Sequence, residues 1–135
     1  MALQKWVRSK PLSNPNVIQQ LEEQYHFSLS DDLKQCILSY NGARPRPNTI
    51  RLKNGEENDV KLLLSYNDCD PENIFKVIEF FVEEYDHKII PFAVDSAGNY
   101  YCEQEKRIVL CTQNKEIIPV CNSFSQFLDS LYELE

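Results

Sequence analysis

"IPFAVDSAGNYYC", residues 90–102, decides how this chain is read. An apolar run enters Asp95, turns through Ser96, Ala97 and Gly98, and leaves through Asn99 into two tyrosines and a cysteine. A carboxylate beside a flexible glycine invites a catalytic reading. Catalysis needs partners, however, and the loop holds no histidine, lysine or second acid. Backbone requirements are a sufficient reason for both residues: Asp95 can accept hydrogen bonds from amides just downstream, as in an Asx-turn, and Gly98 can take the positive φ of a tight corner. The spacing also lacks the alternating oxygen ligands of a calcium loop. The stretch is read as a hairpin corner between two strands.

Working outward, "KIIPFAVD", "NYYCE", "RIVLCT" and "IIPVC" are short apolar or aromatic runs separated by "SAG", "QEK" and "QNKE", a spacing that predicts an antiparallel meander. Pro91 and Pro119 cannot donate to a ladder and belong at strand starts, edges or bulges. "NSFSQFLDSLYELE" predicts a closing helix capped by Asn122 or Ser123, with Phe124, Phe127, Leu128, Leu131 and Leu134 on one face.

Upstream, "DPENIFKVIEFFVEEYD" predicts a helix with Asp70 as cap, Pro71 in its first turn, and Ile74, Phe75, Ile78, Phe81, Val82 and Tyr85 on its buried face. The other face carries Glu72, Lys76, Glu79, Glu83 and Glu84. Further back, "NTIRLKNGEENDVKLLLSY" reads as two strands around Asn54 and Gly55, while Pro45 and Pro47 forbid helix in "ARPRPNTI". The chain opens with two short helices. In the first, Asn14 caps and Val17, Ile18, Leu21 and Tyr25 recur at helical spacing. In the second, Ser30 caps, Asp31 and Asp32 favour the positive end of the dipole, and Leu33, Cys36, Ile37 and Tyr40 form the stripe before Gly42. The order of helices, hairpin, helix, meander and helix is an α+β pattern: one domain over 1–135, with 1–13 as an N-terminal extension, and a central, mostly antiparallel sheet packed by about four helices.

These motifs carry a resemblance. "IPFAVDSAGNYYC", then "RIVLC", then "IIPVCNSFSQFLDSLYELE", is similar to the signature half of the SUKH superfamily, and "IQQLEEQYHFSLSDDLKQCILSYNG" resembles its N-terminal helix pair ending in Asn-Gly, here Asn41 and Gly42. Asn41, Gly42, Pro91, Asp95, Gly98, Ser123 and Phe124 fall on the motif positions and are expected to be structural. The chain departs from the pattern at Ser30, where the family often has proline, and at Ala43, where it often has a second glycine. The resemblance implies a mixed α+β fold and binding in place of catalysis. Bacterial members are mostly immunity proteins that neutralise a secreted toxin, often a nuclease or deaminase; fungal members are scaffolds in cell-wall signalling.

Charge sharpens that expectation. The net charge of −7 argues against nucleic acid as a partner. From Gly55 to His87 ten acids face two lysines, a local balance of −8, while the remainder of the chain sums to +1. A basic toxin would be steered toward such a block. Glu57, Asp59, Asp68, Asp70, Glu72, Glu79, Glu83 and Glu84 are therefore candidate toxin contacts, against the plain alternative of a solvated acidic face. A regulatory or scaffolding module that recruits other proteins is the competing function, although few residues precede the first helix to serve as a disordered arm.

Other chemistry finds little support. His26 and His87 are the only histidines, and neither belongs to a nucleophile motif. No glycine-rich phosphate loop suggests a cofactor. Cys36, Cys69, Cys102, Cys111 and Cys121 form no CxxC pair, so neither a metal site nor a disulfide framework is expected. If Tyr100 lies opposite Cys111, then Cys102 is only diagonal to it, a poor start for a bridge. Trp6 is expected to cover the edge of the core, and Tyr66, Phe80 and Tyr101, off the main stripes, are candidates for exposure. With no signal-like or membrane-spanning apolar run, the expectation is a soluble cytoplasmic protein, a monomer or weak homodimer.

Overall fold

A computed structural model describes residues 2–134. Two helices, α1 (Val17–Tyr25) and α2 (Asp31–Tyr40), lie between strands β1 (Lys5–Val7) and β2 (Arg44–Arg46). Next come β3 (Thr49–Arg51), β4 (Glu57–Asp59), β5 (Leu62–Leu63), a 3₁₀ turn over Ile74–Lys76 and helix α3 (Ile78–Glu84). Strands β6 (Ile89–Val94), β7 (Tyr100–Gln104), β8 (Arg107–Cys111) and β9 (Ile117–Cys121) lead into helix α4 (Phe124–Asp129). The α+β reading holds.

The main sheet has five strands in the order β5-β6-β7-β8-β9, antiparallel throughout. Both prolines fall where a missing donor is tolerated. Pro91 borders a bulge between Pro91 and Ala93, and Pro119 lies on the edge strand β9. The Asn54–Gly55 hairpin is a separate two-stranded sheet, in which Thr49 pairs Asp59 and Arg51 pairs Glu57. The second half of the sequence-predicted strand leaves that hairpin: Leu62 and Leu63 pair with Val94 and Ala93 and extend the main sheet.

Alternation along β7 sorts the core into two faces. Tyr101 faces α4, its ring 5.2 Å from Phe127, while Phe92 makes edge contacts with Phe124 and Phe127. On the other face Phe81 of α3 packs with Ile89, Cys102, Val109 and Cys111. The N-terminal segment is more than an extension, because β1 pairs with β2 and Leu3, Trp6 and Leu12 pack on the core. Trp6 stacks on Tyr40 at 5.9 Å.

Several local expectations are corrected. Helix α1 starts at Val17, because Asn14 instead closes a turn by accepting from the Asn16 amide at 3.0 Å. Asp70 does not cap α3. Its carboxylate is drawn to Ser65 and Lys10, and Asn73 caps the 3₁₀ turn by accepting from the Lys76 amide at 3.1 Å. That tighter turn, at about 120° per residue, rotates Phe75 out of the stripe, and it stands 38% exposed. Tyr40 is exposed as well, and Leu134 lies beyond the end of α4 in solvent. Tyr66 and Tyr101 are buried, contrary to expectation, whereas Phe80 is exposed as expected.

Candidate protein-binding surface

The hairpin corner is built by Asp95. Buried to 1% exposure, its carboxylate accepts from the amides of Ala97 (2.9 Å) and Asn99 (2.8 Å) and from the side chains of Asn99 (3.0 Å) and Asn58 (2.9 Å). Every contact is a structural one. Gly98 sits at φ +88°, and a Cβ there would meet the Gln113 side chain at 2.6 Å. Gln113 latches the corner to the loop after β8, donating to Ala97 O and, through its amide, to Asn99 Oδ1.

The other motif residues also hold the frame. Buried Asn41 accepts from the Tyr66 amide at 2.7 Å and donates to Lys10 O and Ser65 Oγ, joining α2, the N-terminal segment and the chain after β5. Gly42 follows in the left-handed region at φ +68°. Ser123 caps α4 by accepting from the Gln126 amide at 3.0 Å, and Phe124 is buried beneath it. Ser30 caps α2 and does one thing more: its amide and hydroxyl donate to buried Glu103 at 2.9 and 2.5 Å, tying the helix to β7.

The eight candidate acids are spread over three places and divide into two kinds. Five are engaged internally. Asp59 in β4 accepts from the Ser96 amide at 3.0 Å and from its hydroxyl. Asp70 pairs with Lys10 at 3.7 Å, Glu72 with Lys61 at 2.9 Å, Glu57 with Arg51 at 3.5 Å and Glu84 with Lys115 at 3.7 Å. Glu57 also accepts from the Tyr132 hydroxyl. Asp68, Glu79 and Glu83 are exposed and have no ion-pair partner among the described residues.

Glu79 and Glu83 stand one turn apart on α3, and between them in sequence Phe80 is 49% exposed. An exposed aromatic ring flanked by unpaired carboxylates can fill an apolar pocket on a partner while the acids meet its basic rim. Sequence reading singled out both acids and Phe80 but assigned Phe75 to the core. The missed signal is Asn73, a capping residue that places a turn break inside the apparent stripe.

His26 and His87 approach edge to face at 6.2 Å, both exposed, with His87 Nδ1 on the Tyr25 carbonyl at 2.6 Å. Among the described residues no three histidine, cysteine or acidic side chains gather as a metal-binding group, and no helix is long and apolar enough to cross a membrane.

The sequence of residues 13–130 matches the family model described as SMI1 / KNR4 family (SUKH-1). The chain belongs to the SMI1/KNR4 family. That match covers every element from α1 to α4, so the Asp95 corner, the Asn41–Gly42 stop and the Ser123 cap all lie within the matched residues. No curated protein and no solved structure matches it. Membership in SUKH-1 supports a protein-binding module of the immunity or regulatory kind, in a family that is generally non-catalytic.

Proposed function

We propose that this SUKH-1 protein is a non-catalytic, cytoplasmic immunity protein that binds and neutralises a cognate toxin domain of basic surface, of the nuclease or deaminase type. The observation that carries the reading is the outer face of α3, where half-exposed Phe80 lies between two acids without ion-pair partners among the described residues. An apolar anchor desolvated at the centre of an interface supplies most of the affinity, and the surrounding acids accelerate encounter with a cationic partner. Glu79 and Glu83 are the strongest of the candidate contacts. Asp68 follows, and the five engaged acids contribute chiefly through the field they add.

The test is co-expression with the toxin-like domain encoded beside this gene, scored by growth and by pull-down. Rescue, with a complex weakened about tenfold or more between low and high salt, is the expected result. Rescue unaffected by Glu79→Lys, Glu83→Lys and Phe80→Ala together would move the binding face elsewhere. Neither rescue nor complex, with a housekeeping or signalling protein retained from lysate instead, would favour the regulatory module.

A further inference from the structure

Cys102 in β7 and Cys111 in β8 face α3 from the same side of the main sheet. Tyr100 pairs with Cys111 and Cys102 with Val109, so the two thiols are diagonal neighbours, as the sequence predicts. The diagonal does not keep them apart. Their sulfurs lie 3.7 Å from each other, a contact distance that rotation about the side chains can shorten. The rest of the thiol population is differently placed: Cys69 is exposed on a loop, and Cys36 and Cys121 are half-buried on other elements.

The pair is also asymmetric. Cys102 is sealed in the core, whereas Cys111 lines a cavity of about 300 Å³ walled by Phe80, Phe81, Tyr85 and Tyr100. Cys111 is itself only 3% exposed, so a small organic molecule entering the cavity meets the residue that carries one sulfur, with the second sulfur 3.7 Å from it. Hydrogen bonds from Cys102 and Tyr85 hold the Cys111 thiol below its ordinary pKa, against burial, and burial pushes the Cys102 thiol up. The thiol that borders the cavity is thus the more readily ionised of the two.

We propose that Cys102 and Cys111 form a reactive dithiol that exchanges with small organic disulfides entering the cavity between α3 and the β7–β8 hairpin, and closes to an intramolecular disulfide. In the first step the Cys111 thiolate attacks one sulfur of the disulfide RSSR; its S–S bond breaks and one thiolate leaves, taking up the proton Cys111 released. In the second, Cys102 gives up its proton and attacks Cys111 Sγ, and the second thiolate departs as RSH. Two cysteine thiols lose two electrons and two protons, and RSSR gains them as two RSH. A disulfide needs its sulfurs at about 2.05 Å, and a diagonal cross-strand pair reaches that distance only with distortion. The product is therefore a strained, easily reduced bond.

The experiment uses the full chain carrying Cys69→Ser, so that the exposed thiol does not compete. The reduced protein is treated with bis(2-hydroxyethyl) disulfide and followed by intact mass and peptide mapping. The expected result is loss of two hydrogens with Cys102 joined to Cys111, reversed by dithiothreitol. Adding Cys102→Ser should arrest the reaction at a lasting adduct on Cys111. Adding Cys111→Ser should leave Cys102 unmodified. Free thiols at both positions, a persistent Cys111 adduct with Cys102 still intact beside it, or oxidation no faster than global unfolding would each overturn the proposal. The peptide map of the Cys69→Ser protein decides this even where a further variant does not fold.

Discussion

Asn58 Nδ2 lies 2.9 Å from the Asp95 carboxylate and donates to it, so the small β3–β4 hairpin is fastened to the corner of the main sheet. The same amide meets the Tyr101 hydroxyl oxygen at 2.8 Å, and that hydroxyl donates to Asp59 O. One buried carboxylate therefore closes its own turn and positions a second sheet. Asp95→Ala leaves the two backbone amides and the side chains of Asn58 and Asn99 without this acceptor. A loss of about 3 kcal/mol of unfolding free energy is expected from urea titration, with Asp95→Asn costing less. A change below about 0.5 kcal/mol would mean that water replaces the carboxylate.

Ser30 shows how a departure from the family pattern is accommodated. Family members often have proline here, but in this chain the Ser30 amide donates to Glu103, which is 4% exposed. Proline would remove that donor together with the hydroxyl. Ser30→Pro should destabilise by about 2–3 kcal/mol, and Ser30→Ala, which keeps the amide, by about 1–2 kcal/mol. The reverse order in thermal or urea unfolding would show that the amide bond to Glu103 contributes nothing.

The two kinds of acid respond in opposite ways to substitution. Glu79 and Glu83 repel each other one turn apart on α3, so Glu83→Lys should leave stability unchanged or raise it by about 0.3–0.5 kcal/mol. Asp59→Ala should lower it by about 1–2 kcal/mol, because the Ser96 amide loses its acceptor. In the proposed complex the ranking inverts, and Glu83→Lys gives the larger loss of association rate. Paired urea titrations and binding kinetics check both halves. Equal effects of the two variants on stability would refute the division.

Much of this architecture was legible in the sequence because local chemistry and tertiary demand agree. Asp95 and Gly98 need no partner beyond their own corner to be read as a turn. Ser30 and Ser123 cap as their spacing predicts, and the Tyr100–Cys111 register follows from the "QEK" turn. Apart from those of Asn14 and Phe75, which are local, the misreadings arose where a distant residue wins the contest. Asp70 has the chemistry of a cap, but Ser65 and Lys10, remote from α3, take its carboxylate. Tyr66 and Tyr101 fall off the helical and strand stripes drawn locally, and are buried because α1, α2 and α4 close over that face. The acidic block was visible as composition, but its division into engaged and free acids depends on Lys10, Arg51, Lys61, Lys115 and Ser96, whose positions only the fold supplies. The approach of Cys102 to Cys111 was hidden for the same reason, since register gives a diagonal and not the side-chain rotamers.

Burial of ionisable groups without charge partners should make the fold sensitive to alkali. Burial raises the Cys36 thiol from its ordinary 9.0 to about 12. The Tyr66 hydroxyl is pushed up first by burial and then by the nearby carboxylates of Glu22 and Glu103. Because both groups hold their protons more tightly when folded, the stability they contribute is complete below their unfolded-state values and declines as pH rises through the folded ones. For Cys36 that window runs from about pH 9 to about pH 12. Tyr66 carries a further consequence, because its hydroxyl is buried with no hydrogen-bond partner among the described residues. Tyr66→Phe removes an unsatisfied group while keeping the ring, so it should raise stability at neutral pH by about 1 kcal/mol and make the alkaline decline shallower. Urea midpoints of the two proteins at neutral pH and across the alkaline window measure both effects. A destabilising Tyr66→Phe would mean that an ordered water satisfies the hydroxyl.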